Sequence, residues 1–171
     1  MNVIRKYFYL TSAVLSGTSL VVMTLLILSQ IAARFMNTVI PSSEDFAGWL
    51  LSSTIFFGLA YTFQNGGHIR VTMLLTRIST QKRRYLEVFN LLCGLFISGY
   101  LAFYTAFTVY ESYDFEEVTD TYLVVPLWMV QSPMAIGSIF LFIAMLDSFA
   151  VMLSGNTPAY VVSEDELSSA E

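Results

Sequence analysis

Read for charge alone, the chain divides into four long stretches without Asp, Glu, Lys, Arg or His, at residues 7–33, 46–67, 88–110 and 121–146. A helix rises about 1.5 Å per residue, so roughly 20 apolar residues cross about 30 Å of hydrocarbon. Each stretch reaches that length. The pattern predicts an all-α integral membrane protein with four transmembrane helices, at about residues 8–33, 46–66, 88–110 and 126–147. Together they form a single membrane domain over residues 1–153, followed by an acidic tail, residues 154–171, expected to be mobile and cytoplasmic. The first stretch follows Arg5 and Lys6 as a secretory signal would. Its apolar run is far longer than the roughly 7 to 15 residues of a signal core, so it reads as a retained span.

Composition narrows the chemistry. Of 171 residues, 56% are apolar and 12% charged, about half the charge of a soluble domain. Eight Lys and Arg against thirteen Asp and Glu leave no basic surface for nucleic acid. Cys93 is the single cysteine and His68 the single histidine. An internal disulfide, a CxxC pair and a bis-histidine haem are therefore excluded, and no cofactor is expected. Nor does any span carry an ionisable group near its centre, where proton relays and ion paths place them.

Positive charge sets the orientation, because Lys and Arg stay on the cytoplasmic side. Arg5 and Lys6 precede the first span; Arg70, Arg77, Lys82, Arg83 and Arg84 separate the second from the third. The opposite side holds only Arg34, together with the acidic connection Glu111, Asp114, Glu116, Glu117 and Asp120. Both termini are predicted to be cytoplasmic. Trp49 and Trp128 fall at the outer boundary, where an indole ring is half wetted.

The connections carry local signals. Pro41-Ser42-Ser43-Glu44-Asp45 reads as a helix start, with Ser42 capping free amides and Asp45 three residues on. Gly66-Gly67 ends the second span. Val71, Leu74, Leu75 and Ile78 then share one face of a short amphipathic helix, at about residues 69–80, on the cytoplasmic membrane surface. Arg77, Lys82, Arg83 and Arg84 are placed to meet anionic lipid headgroups, or simply to anchor the topology. Gly94, Ser98, Ala102 and Ala106 form a ridge of small residues on the third span. Such a ridge admits another helix closely, from this chain or from another. Pro126 is expected in the first turn of the fourth span, and Pro133 to bend that helix or open its hydrogen bonding.

With those residues laid out, the chain resembles the small membrane subunit, the DctQ-like component, of tripartite ATP-independent periplasmic (TRAP) transporters. Three features carry the resemblance: Ser43-Glu44-Asp45-Phe46-Ala47-Gly48-Trp49 at the second span; Gly66-Gly67-His68-Ile69-Arg70-Val71 at its end; and Pro126-Leu127-Trp128 with Pro133 and Gly137 at the fourth. It covers about residues 5–153. Many members carry an acid soon after the His-hydrophobic-Arg run, whereas this chain has Thr72. The resemblance implies a non-catalytic subunit of the bacterial inner membrane. Its partners would be a large multi-span subunit, which holds the sodium and substrate sites, and a periplasmic protein that captures an organic anion of the sialic acid or dicarboxylate class. Glu44, Asp45, Trp49, Gly66, Gly67, His68, Arg70, Pro126, Trp128, Pro133 and Gly137 become candidates for the interface between subunits. Asp114, Glu116, Glu117 and Asp120 become candidates for docking the periplasmic protein.

Two readings compete. A small transporter or channel acting alone as a homo-oligomer requires polar positions on a common face and flux from the purified chain. An intramembrane or quinone-linked enzyme requires a metal, haem or catalytic pair, for which one His and one Cys are poor material.

Overall fold

Long apolar runs of Leu, Val, Ile, Phe and Ala satisfy their own backbone only as helices once water is absent. In the computed structural model, residues 3–65 and 80–154 are described, with side chains over 5–65 and 88–154. They form α1 (Val3–Phe35), α2 (Ser43–Gln64), α3 (Thr80–Asp114) and α4 (Leu127–Leu153). All four are long and apolar enough to cross a membrane. The expected amphipathic segment lies outside the described residues except at Thr80, where α3 begins. The acidic tail beyond Ser154 lies outside them as well.

α1 and α3 are longer than the apolar stretches that announced them. α3 takes in the polar residues from Thr80 to Glu87 at one end and Glu111 to Asp114 at the other. Its 35 residues extend about 52 Å, well beyond about 30 Å of hydrocarbon. Helix propensity in this polar sequence is sufficient for it to continue a turn already nucleated, so charge marks the membrane boundary and not the helix end.

Two helix ends share a motif that no glycine announced. After α1, Asn37 has φ 53°, Thr38 N–H reaches Ala33 O at 2.9 Å, and Asn37 N–H reaches Arg34 O at 3.1 Å. After α3, Glu116 has φ 51°, Glu117 N–H reaches Ser112 O at 3.0 Å, and Glu116 N–H reaches Tyr113 O at 3.3 Å. Both are Schellman closures, with the residue after the cap in the left-handed region.

The helices pack as a row, α1 against α2, α2 against α4, and α4 against α3. Because the chain alternates direction, the central pair, α2 and α4, run parallel. α1 meets α2 through Ser12, Ser16, Ser19, Met23, Leu26 and Gln30, spaced alternately three and four. Ser12 Oγ donates to Phe57 O, and Ser16 Oγ donates to Thr54 O at 2.7 Å. Between α2 and α4, Ala60, Ser138 and Ala144 have no exposed surface. Here Gly137 lies so close to Phe56 that an added Cβ would stand 2.5 Å from its backbone. The small-residue ridge of α3 faces α4: Ser98 Oγ lies 3.4 Å from Met145 Sδ, and a Cβ on Gly94 would be 3.1 Å from the same sulfur. Its neighbour therefore comes from this chain.

At the end that carries the N-terminus the row gathers into a small core of Tyr9, Ala60, Phe63, Leu91, Leu141 and Ala144. Phe8 meets Phe140 with ring centroids 5.0 Å apart, and Arg5 pairs with Asp147 at 2.6 Å. Toward the opposite end α1 stands in contact with α2 alone along most of its length. Only 6% of its apolar window is buried within the chain, against 33% for α4.

Candidate interaction surfaces

Among the described side chains, most of the polar features lie at the end opposite the N-terminus. Two parallel helices begin there, α2 and α4, and their free amides gather partial positive charge. Glu44 and Asp45 occupy the first turn of α2, where that charge favours them. Ser42 does not cap the helix as expected. Its φ of 55° turns the side chain away from the free amides, and it makes no side-chain cap hydrogen bond. The hydroxyl instead accepts the Leu123 N–H at 3.2 Å, tying the start of α2 to the segment leading into α4. Arg34 reaches Glu44 at 3.4 Å, and both side chains are exposed. These residues rim a shallow depression of about 230 Å³ that includes Gln30 and Pro41.

The acidic connection is ordered by its own hydrogen bonds. Val118 and Pro126 form an antiparallel bridge, flanked by Thr119 N–H to Val125 O and Leu127 N–H to Glu117 O, each 2.9 Å. The second bond satisfies the first free amide of α4. Pro126 consequently sits just before the helix, in extended conformation with ψ 127°, and not in its first turn. Thr119 Oγ1 accepts the Val125 N–H at 3.0 Å, and Ser112 Oγ donates to Glu117 Oε2 at 2.8 Å. Asp114, Glu116 and Glu117 line an open cleft of about 490 Å³ with Tyr113, Val118, Pro126 and Trp128. Its aromatic wall is an edge-to-face pair, Tyr113 and Trp128, at 5.9 Å. Asp120 is exposed nearby in sequence but does not line the cleft. Carboxylates beside an aromatic wall suit a Lys or Arg side chain, which gains from both charge and ring.

The remaining candidates are scattered. Trp49 is half-buried and packs edge-to-face on Phe46 at 4.7 Å. Pro133 lies within α4, where its missing N–H leaves the Met129 carbonyl without its helical donor. Gly137 is buried inside the chain against Phe56, so its lack of a side chain serves the α2–α4 contact and not an outer surface. Gly66, Gly67, His68, Arg70 and Arg77 lie outside the described residues. Lys82, Arg83 and Arg84 belong to the first turns of α3, with side chains outside the description. Among the described residues, no group of three or more His, Cys, Asp or Glu is arranged to hold a metal ion.

One surface was not anticipated. The face of α3 turned away from α4 presents exposed Phe89, Phe96, Tyr100, Phe103, Phe107 and Tyr110. Their spacing of seven, four and three residues is the signal that would have revealed it.

The family model described as Tripartite ATP-independent periplasmic transporters, DctQ component, matches residues 23–155. The match takes in the C-terminal part of α1 and all of α2, α3 and α4. No curated protein matches the chain.

Proposed function

The chain belongs to the DctQ component family of TRAP transporters, and from that premise we propose that it is the non-catalytic small subunit of a sodium-coupled importer of an organic acid. In this reading it scaffolds the large transport subunit in the bacterial inner membrane, with both termini cytoplasmic, and helps dock the periplasmic substrate-binding protein. Membership makes it a transporter component with membrane-spanning helices; the division of labour is the proposal.

The observation that carries it is how the hydroxyls within the spans are used. Ser12 and Ser16 donate across to backbone carbonyls of α2. Ser53 and Thr54 donate to Trp49 O and Leu50 O, and Ser138 to Met134 O. The first two hold α1 to α2, and the other three close back on the preceding turn of their own helix. A cation that sheds its hydration shell needs several oxygens converging on one point, and this arrangement points them at separate backbone positions. A row of four helices with wide apolar faces suits a chain that completes a larger membrane protein.

Cargo belongs to the sialic acid or dicarboxylate class in this reading, through the resemblance alone. The acidic cleft beside Trp128 is the docking point for the binding protein, and the basic residues at the start of α3 meet lipid headgroups. The test is a mild-detergent pull-down of the tagged chain from its native membrane, followed by reconstitution. Recovery of a large multi-span subunit in about equal amount, with uptake only when both are present with the binding protein, supports the proposal. Flux through the purified chain alone overturns it in favour of a self-sufficient transporter. Charge reversal at Asp114, Glu116 and Glu117 should weaken docking while sparing assembly.

A further inference from the structure

α1 and α3 form the two edges of the row, and each exposes a long apolar face whose chemistry differs. On α1 the face is aliphatic, with Val21, Leu25, Leu28 and Ile31 all exposed. Thr11, Thr24 and Ser29 each donate to a carbonyl three or four residues back, and Thr18 stands exposed among these side chains with no hydrogen-bond partner among the described residues.

On α3 the face is an aromatic ladder that contains two phenols at mid-depth. Tyr100 and Tyr104 fall near the middle of the apolar window Val88–Asp114, and they are 58% and 48% exposed. Tyrosine on a lipid-facing surface belongs at the headgroups, where its hydroxyl meets water. These two instead lean together, with ring centroids 4.3 Å apart. Two hydroxyls carry two protons, and only one can be shared between them. The second donor has no acceptor among the described residues, and hydrocarbon supplies none. The rings around them, Phe96, Phe103 and Phe107, recur at the heptad spacing of a helix seat. Phe103 and Phe107 stack nearly parallel, at 10° and 6.3 Å. The ladder also runs on through Tyr110 to Tyr113, which walls the acidic cleft.

We propose that this ladder, centred on Tyr100 and Tyr104, is the seat for a membrane-spanning helix of the large TRAP subunit, one that offers small residues and a hydrogen-bond acceptor at mid-depth. The proposal rests on the subunit reading above and adds the face on which assembly occurs. Small residues on the incoming helix let it lie between the rings, and the acceptor, a hydroxyl, an amide or a helix carbonyl, takes the spare phenol proton. The α1 edge is left to lipid.

The test uses the full chain co-expressed with its large subunit and a photo-reactive phenylalanine introduced singly at Phe96, Phe103 or Tyr110, each a near-isosteric change. The same group at Val21, Leu25 or Leu28 reports on the α1 edge. Crosslinks from the ladder, and not from α1, to a protein identified by mass spectrometry as the large subunit support the proposal. In parallel, the pair Tyr100→Phe and Tyr104→Phe should lower co-purified large subunit by about threefold or more, at unchanged yield of the small one. If the unsubstituted chain retrieves the large subunit but ladder positions crosslink only lipid, or a second copy of this chain, the seat lies elsewhere and the scaffold reading stands. If no large subunit is retrieved by any version, the scaffold reading falls with it.

Discussion

Replacing Gly137 by alanine is the sharpest probe of the packing described here. The added methyl would stand 2.5 Å from both the carbonyl carbon and oxygen of Phe56 and 2.7 Å from its Cβ. Ordinary carbon contacts lie at about 3.5–4.0 Å, so α2 and α4 must part by about 1 Å. No side-chain rotation relieves the clash, because two of the three atoms are helix backbone. Separation would also loosen Ala60, Ser138 and Ala144, which have no exposed surface today. Overpacking of this kind costs about 1–3 kcal/mol, and the lost contacts place Gly137→Ala in the upper part of that range. Gly17 and Gly48 supply the controls, since a Cβ at either meets nothing within 4 Å; alanine there should leave stability unchanged or improve it through helix propensity. Unfolding of the purified chain in mixed detergent micelles reads all three. A Gly137→Ala protein as stable as the Gly17→Ala and Gly48→Ala proteins would refute the close α2–α4 approach.

Further outcomes follow from individual contacts. Arg5 and Asp147 pair at 2.6 Å, with side chains 38% and 28% exposed; a double-mutant cycle with Arg5→Ala and Asp147→Asn should give a coupling of about 1 kcal/mol at most, and zero coupling would remove the pair from the account of the N-terminal end. Ser12→Ala and Ser16→Ala each delete a bond from α1 to a carbonyl of α2 and should each cost about 0.6 kcal/mol, measured by the same unfolding assay. Glu116→Gly removes a side chain from a left-handed position, φ 51°, and should stabilise the chain by up to about 1 kcal/mol. If the acidic cleft docks the binding protein, that same substitution weakens docking, so stability and docking should move in opposite directions.

How much of this could be read from the sequence depends on the kind of signal. The four spans were plain, because crossing a membrane demands length and apolarity and little else. Where each helix stops was not, since the polar first turns of α3 continue a helix that hydropathy had ended. The Schellman closures escaped notice because Asn37 and Glu116, and not glycines, occupy the left-handed positions. Ser42 satisfied every local rule for a cap, yet Leu123, distant in sequence, takes its hydroxyl. The ridge from Gly94 to Ala106 was visible, but only packing could name α4 as its neighbour. Gly137 stood out through a family pattern whose physical reason, Phe56 of α2, is invisible along the chain. The order of the row was equally hidden, because four apolar cylinders offer many pairings of similar hydropathy. Which residues meet partners is a question about a complex, and one chain holds only half of that information.

The row has a consequence for how the protein is made. Its two outer contacts join helices that are neighbours in sequence, α1 with α2 and α3 with α4, so each pair can close as a hairpin soon after it enters the bilayer. The seam at Gly137 and Phe56, the core and ion pair near the N-terminus, and the bond from Leu123 to Ser42 at the other end join one hairpin to the other. A chain severed between Asn65 and Thr80 retains all four described helices and each of their three main pairings. Two half-length polypeptides inserted separately should therefore find each other in the membrane and rebuild the row, with a single glycine deciding how tightly they close.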